Sequence, residues 1–262
     1  MSIISVNKKR PKIVIFDLET LPILPEVMRV LPGMSDYYGR TLKADINSII
    51  CFGYKVYGDR STKCINAWDF SAWKKCVNDD YEICKISYEI LKDADAIVTH
   101  NGTRFDWKFL QTRLFIHKLP SLPKIQHIDT RILAKRFLFL FDNKLNTVAK
   151  HAGTRKLKHD GWDMWTAVSK RDLKYMRLMT RYCKQDVNAL EAIFKRLLPF
   201  VTTLPNYNMF RRDGSECCPN CGGFNLKSEG IRATKEKTYR KYCCKDCGTW
   251  IKGHVKSKHS VL

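Results

Sequence analysis

Short apolar runs alternate with polar and turn-forming stretches along the first half of the chain. Ile13-Val14-Ile15-Phe16 is β-branched and aromatic and predicts a buried strand. Ile49 to Val56 and Cys64 to Trp68 predict two more, joined through turn chemistry at Gly58 and Asp59. Ile83, Ile86, Ile90 and Leu91 recur at helical spacing and predict a helix over Tyr81 to Lys92. Ala96 to Thr99 reads as another buried strand. Trp107 to His117 reads as a helix with Phe109, Leu110, Leu114 and Phe115 on one side. A short strand or turn begins at Ile128, followed by a helix from Thr130 to Phe139 and another from Asn146 to His151, ended by Gly153. The long periodic stretch from Asp172 to Leu198 predicts a helix stopped by Pro199. Strands first, then alternating strands and helices, then one long helix: this order predicts an α/β domain with a mixed sheet.

The remaining stretches punctuate that domain. The first ten residues read as a polar lead-in, Pro22 to Asn47 as an irregular excursion, Asn206 to Gly214 as a linker, and His254 to Leu262 as a basic tail. Of the 262 residues 44% are apolar, enough to build a core, which excludes disordered and collagen-like classes. No run approaches the roughly 18 apolar residues of a membrane span, so no membrane association is expected. Met1 to Pro11 lacks the apolar segment of a secretory signal. The eleven cysteines are an odd number, which argues against a disulfide framework and for a reducing, cytoplasmic setting. The net charge of +21 points to a polyanionic partner, nucleic acid first, because Lys and Arg gain by displacing counterions from phosphates.

Three segments carry carboxylates in telling places. Asp17-Leu18-Glu19-Thr20 follows the first strand directly, and alternation puts Asp17 and Glu19 on one face. Two adjacent carboxylates repel unless a cation lies between them, and hard oxygen ligands suit Mg²⁺ or Mn²⁺. Asn101-Gly102-Thr103-Arg104-Phe105-Asp106 follows the strand from Ala96; taken alone, Asp106 reads as the N-cap of the next helix. Tyr182 and Asp186 lie four apart in the long helix, hence on one face, with Leu178, Leu190 and Phe194 continuing that side. An Asp facing the domain body needs a partner, which a metal ion would provide.

In order and context, Asp17 to Thr20, Asn101 to Asp106 and Tyr182 to Asp186 resemble the three exonuclease motifs of the DEDD superfamily, 3′–5′ exonucleases on a ribonuclease H-like fold. The second motif is similar to that of the proofreading domains of family B DNA polymerases. Tyrosine four residues before the last aspartate marks the tyrosine-type subclass; the histidine-type carries His five before it, where this chain has Arg181. The resemblance spans residues 13–198. It implies an α/β, ribonuclease H-like mixed sheet with flanking helices, and two Mg²⁺ or Mn²⁺ ions. Asp17 would bridge both ions, Glu19 and Asp186 would complete the shell of one, Asp106 would serve the other, and Tyr182 would orient the attacking water. Leu18, Thr20, Asn101 and Phe105 match positions that contact the terminal nucleotide. Asp129 reads as an N-cap, His100 and His127 as structural, and Trp162 and Trp165 as core residues rather than base-stacking ones.

Cys218-Pro219-Asn220-Cys221-Gly222 and Cys244-Lys245-Asp246-Cys247-Gly248 form two Cys-x-x-Cys-Gly knuckles. Each two-residue spacing lets both thiolates reach one tetrahedral ion, and glycine permits the tight turn behind them. Cys217 and Cys243 are adjacent alternatives, but only the pairs Cys218/Cys221 and Cys244/Cys247 end in Gly in the same frame. The segment resembles a zinc ribbon with one structural Zn²⁺ and Tyr239 to Tyr242 as a strand entering the second knuckle. The expected layout is an exonuclease domain over 1–205, a linker over 206–216, and the ribbon with its tail over 217–262.

The expected activity is metal-dependent 3′–5′ exonucleolytic hydrolysis of single-stranded DNA, the ribbon helping to hold nucleic acid. Two rivals stand beside it: an exoribonuclease trimming RNA, and a catalytically weak nucleic-acid-binding or structure-selective protein on the same fold. Basic and aromatic residues interleave in the ribbon, which suits a nucleic-acid grip or a docking surface for a replication or repair partner. Such a compact nuclease would suit a bacterium or a virus of bacteria.

Overall fold

The computed structural model describes residues 11–21, 47–155, 162–201, 203–204, 217–236 and 238–253. The lead-in, most of the Pro22–Asn47 excursion, residues 156–158, the side chain of Trp162, the 206–216 linker and the basic tail fall outside these. The described residues divide into two compact units, one covering Lys12–Leu197 and the other following Leu198.

In the first unit, strands β1 (Ile13–Thr20), β2 (Ile49–Val56), β3 (Lys63–Asn66), β4 (Ala96–Thr99) and β5 (Gln126–Asp129) form one sheet in the order β3-β2-β1-β4-β5. β1 runs antiparallel to β2 and parallel to β4, so the sheet is mixed, as expected. The helices are α1 (Ser71–Lys75), α2 (Tyr81–Leu91), α3 (Asp106–Ile116), α4 (Thr130–Phe137), α5 (Leu145–His151), α6 (Trp162–Ser169) and α7 (Leu173–Leu197).

Alternation along β1 divides the core between two faces of the sheet. Val14, Phe16 and Leu18 pack with Phe52, Ile97, and the inner sides of α2 and α3. On the other face Ile50, Cys51 and Trp73 pack with Met164 and Val168 of α6 and Met176, Met179, Tyr182 and Cys183 of α7. Two boundaries and one side chain's exposure differ from the sequence expectation. β3 stops at Asn66, where a 3-10 turn over Ala67–Asp69 takes over. α4 stops at Phe137, and Leu138 is extended, so Phe139 lies beyond the helix. Phe115 is exposed rather than part of the apolar side of α3.

One glycine sets the approach of α7. Gly53 pairs with Asp17 across the ladder. A Cβ at Gly53 would stand 2.6 Å from Cys183 Sγ and 3.2 Å from the Cys183 carbonyl oxygen. The missing side chain lets α7 seat directly over the β1–β2 pair where the first acidic segment lies.

In the second unit β6 (Leu226–Ala233), β7 (Thr238–Cys244) and β8 (Trp250–Gly253) form an antiparallel three-stranded sheet. β7 is the predicted entering strand, longer than its Tyr239–Tyr242 centre.

Candidate active site and cysteine centre

Asp17 and Glu19 stand on the α7 face of β1, and their carboxylates lie with Cys183 Sγ in a group whose ligand atoms are all within 4.8 Å of one another. The Cys183 thiol donates to the Asp17 carbonyl oxygen at 3.8 Å. Its hydrogen bonds with Cys51 and Cys64, together with burial, push that thiol well above its usual range, so it is a neutral neighbour of the carboxylates.

α7 adds the next pair. The buried Tyr182 hydroxyl is hydrogen-bonded to Asp186, and it feels the charges of Asp186, Glu19 and Asp17. Burial first, then those three anions, raise the phenol far above its ordinary value. The ring meets Trp165 edge-on, centroids 6.0 Å apart, so Trp165 is a packing residue, as expected.

Asp106 enters from the other side of β1. β4 pairs with β1 from Ile13/Ala96 as far as Ile15/Val98. Beyond that point the Leu18 N–H has no ladder partner on the β4 side, and it donates to Asp106 Oδ1 at 3.1 Å. Asp106 is therefore not an N-cap: Phe105 holds that position and Asp106 is the first helical residue. Burial raises its carboxyl to about 7, the Leu18 hydrogen bond opposing the shift.

The turn that delivers Asp106 is tightly specified. Asn101 has φ 69°, in the left-handed region. A Cβ on Gly102 would stand 2.3 Å from Thr99 Oγ1. Asp129 holds the turn from beneath, accepting from Asn101 N at 2.9 Å, Thr103 N at 3.1 Å and Thr103 Oγ1 at 2.7 Å. It also accepts from Arg131 N and Ile132 N, which makes it the N-cap of α4. These donors outweigh its burial and keep the carboxyl below the usual range. His100 is held by Thr130 Oγ1 and the Asn143 carbonyl, and His127 by Thr99 Oγ1, both structural roles.

The four residues assigned to the terminal nucleotide divide. Asn101 lines an open cavity. Thr20 is buried on β1. Leu18 is a correction: its side chain is 5% exposed and sits in the core with Phe16 and Phe52, on the face opposite Asp17 and Glu19. Phe105 is half-buried, packs on the same cluster and lies 5.6 Å from the Phe109 ring. Sequence reasoning missed Gly53, and its only signal was a glycine within an apolar strand.

In the second unit Cys218, Cys221, Cys244 and Cys247 bring their sulfurs within 4.8 Å of one another. The cross pairs Cys218–Cys247 and Cys221–Cys244 are each 3.6 Å apart. A tetrahedron of thiolates at Zn–S of about 2.3 Å has edges of about 3.8 Å, so the four positions fit zinc. Gly222 and Gly248 both have positive φ, 77° and 75°, as the knuckle turns require. Cys217 and Cys243 lie outside the group. Lys241 lies 3.9 Å over Trp250 and Lys252 5.2 Å over Tyr239, so these basic and aromatic residues pair with one another.

A mixed β3-β2-β1-β4-β5 sheet with carboxylates gathered at the end of its central strand defines a ribonuclease H-like nuclease, accompanied by a small unit that fits a zinc ribbon. The chain belongs to the RNase H superfamily, whose family model matches residues 39–198. That match begins beyond β1 and so does not include Asp17 or Glu19. No curated protein matches the chain. Among solved structures it is similar to the family B DNA polymerase of the hyperthermophilic archaeon Pyrobaculum calidifontis, at 16% identity and a TM-score of 0.51. The alignment covers 88% of this chain and 32% of the polymerase, so the chain spans about a third of that protein's length.

Proposed function

We propose that the protein is a metal-dependent 3′–5′ exonuclease acting on single-stranded DNA. The carrying observation is the convergence at one end of β1 of Asp17 and Glu19, of Asp106 through the Leu18 N–H, and of the Tyr182–Asp186 pair. Carboxylates that converge on one place suit hard divalent cations. Asp17, Glu19, Asp106 and Asp186 would hold two Mg²⁺ or Mn²⁺ ions. When bound, these ions supply Lewis acidity at the scissile phosphate and acidify the attacking water.

The chain's own groups do the positioning. Tyr182 is fixed by Asp186 on one side and Trp165 on the other, and so presents its hydroxyl at a set place beside the carboxylates. Asn101, turned out of the β4–α3 loop, is available to the terminal nucleotide. The likeness of the second motif to proofreading domains, and the polymerase-like fold, favour DNA over RNA. One structural zinc in the ribbon would give that small unit its stability, and the ribbon assists strand binding.

The test is a time course on 3′- and 5′-end-labelled single-stranded DNA and RNA, with Mg²⁺, Mn²⁺ or EDTA, run beside Asp17→Ala. A metal-dependent ladder shortening from the 3′ end, faster on DNA and absent in the variant, is expected. Internal cuts, or no hydrolysis of either polymer, would overturn the reading.

A further inference from the structure

The C-terminal ends of β4 and β5 carry a second feature that the acidic site does not use. A cavity of about 340 Å³ is lined by Asn101, Thr103 and Arg104 of the β4–α3 turn and by Arg131, Lys135 and Arg136 of α4. Four cations from two separate elements thus face one space. Among the described residues none of the four forms an ion pair with a carboxylate. Asp129 lies beneath, but it accepts its hydrogen bonds from backbone N–H groups and the Thr103 hydroxyl, not from these side chains. Arg131 and Lys135 are four apart on a helix, an arrangement of like charges that costs stability unless an anion relieves it.

Arg131 also has a defined place. Its Nη1 donates to Asn101 Oδ1 at 2.7 Å, which joins α4 to the turn that delivers Asp106. The sheet register puts the cavity beside the acidic site. Ile15 pairs with Val98 on the parallel strand, so Asp17 is level with His100, one residue before Asn101.

Immediately after α4, Leu138 is extended, and exposure alternates from there to Phe141. Leu138 and Leu140 are half-buried, whereas Phe139 and Phe141 are fully exposed, at 105% and 103%. Two bare aromatic rings next to an unpaired cationic cavity match what single strands require: phosphate contacts, with flat surfaces on which bases stack without regard to sequence.

We propose that the cavity and the Phe139–Phe141 segment form a track for single-stranded nucleic acid. Arg104, Arg131, Lys135 and Arg136 take backbone phosphate, and the two rings stack on bases of the same strand. The track deepens the nuclease reading by naming what holds the strand away from the cleaved end, and its orientation relative to the site rests on that reading. Its existence as a strand-binding surface does not.

The experiment measures anisotropy of labelled single-stranded DNA and RNA oligonucleotides with the full chain in an Asp17→Ala background, so that the strand is not consumed. One variant is Arg104→Ala, Lys135→Ala and Arg136→Ala combined; another is Phe139→Ala with Phe141→Ala. All five of these side chains are exposed, and circular dichroism checks the fold. The triple variant should bind at least about tenfold more weakly, and the log–log salt slope should flatten by about 2, since each lost phosphate contact on a single strand removes about 0.7. The double variant should also weaken binding about tenfold while leaving the salt slope unchanged. Unaltered affinity in both variants overturns the track, even if the wild type is a nuclease. Loss of self-association in the double variant without loss of strand binding overturns it in favour of a contact between copies. Strand binding that depends on these residues in a chain that hydrolyses nothing supports the track and removes the nuclease reading instead.

Discussion

The Leu18 backbone N–H donates to Asp106 Oδ1 at 3.1 Å, and this one bond ties α3 to the strand that carries Asp17 and Glu19. It arises because the β1–β4 pairing ends at Ile15/Val98 and leaves that N–H without a ladder partner. The carboxylate is therefore a structural acceptor, and in the proposed function also a metal ligand. Asp106→Asn keeps an acceptor oxygen and removes the charge, so the thermal midpoint should be close to wild type while hydrolysis falls by about a thousandfold, several kcal/mol of metal-dependent stabilisation at about 1.4 kcal/mol per decade. Asp106→Ala should in addition lose about 1–3 kcal/mol of stability, because the buried N–H is left unsatisfied. Denaturant titration and initial rates on the pair separate the two roles.

Gly53 and Cys183 form the contact that lets α7 reach the strand. Gly53→Ala forces a carbon into the space occupied by Cys183 Sγ, and overpacking of this kind costs about 1–3 kcal/mol. Activity should fall with stability, because Tyr182 and Asp186 ride on the displaced helix. Adding Cys183→Ala should recover part of both. A double variant no better than Gly53→Ala would show that the contact does not set the helix position.

Tyr182→Phe removes the hydroxyl bonded to Asp186 while keeping the ring packed on Trp165. Its loss in rate should be about ten- to a hundredfold, smaller than that of Asp17→Ala, since positioning a water contributes less than charge stabilisation. Equal losses in single-turnover rates would place Tyr182 in a larger role.

Away from the site, Asp80 accepts from Arg113 Nη2 at 2.6 Å and from Ile49 N at 2.8 Å, and it pairs with His117 at 2.5 Å. Burial works to raise its carboxyl, but the His117 and Arg113 hydrogen bonds prevail and hold it below the usual range. A carboxyl lowered on folding contributes stability above its unfolded value of about 3.9, and that contribution is lost as pH falls through the folded value. Asp80→Asn should thus cost about 3–5 kcal/mol at neutral pH, because Arg113 is left buried without its partner. The gap between variant and wild type should close as the pH is taken below about 4. Urea titrations at several pH values give both numbers.

Cys218→Ser with Cys221→Ser removes two of the four sulfurs gathered in the second unit. About one equivalent of zinc should be lost by elemental analysis, with unfolding of the ribbon. Strand binding should weaken; unchanged binding would make the ribbon a docking module for another protein.

Much of this was legible in the linear chain because it depends on local periodicity. Strand alternation put Asp17 and Glu19 on one face, helical spacing put Tyr182 above Asp186, and two knuckles with glycine in the same frame named the four clustered cysteines. What was not legible depends on contacts distant in sequence. Asp106 reads as an N-cap until Leu18, 88 residues away, is seen to claim its oxygen. Leu18 reads as a substrate contact until the sheet turns its side chain into the core, and Phe105 until it is seen packed against that core.

By itself, then, the order of residues determined most strands and helices of the first unit and the acidic and cysteine sets, since each follows from side-chain direction and spacing along one segment; α1, α6, β6 and β8 were not legible in it. Tertiary structure alone decided that Gly53 sets the depth of α7, that Asp129 holds the turn bearing Asp106, and that four cations converge on one cavity. Those outcomes depend on which segments the sheet order makes neighbours, and on excluded volume and hydrogen-bond satisfaction where they meet.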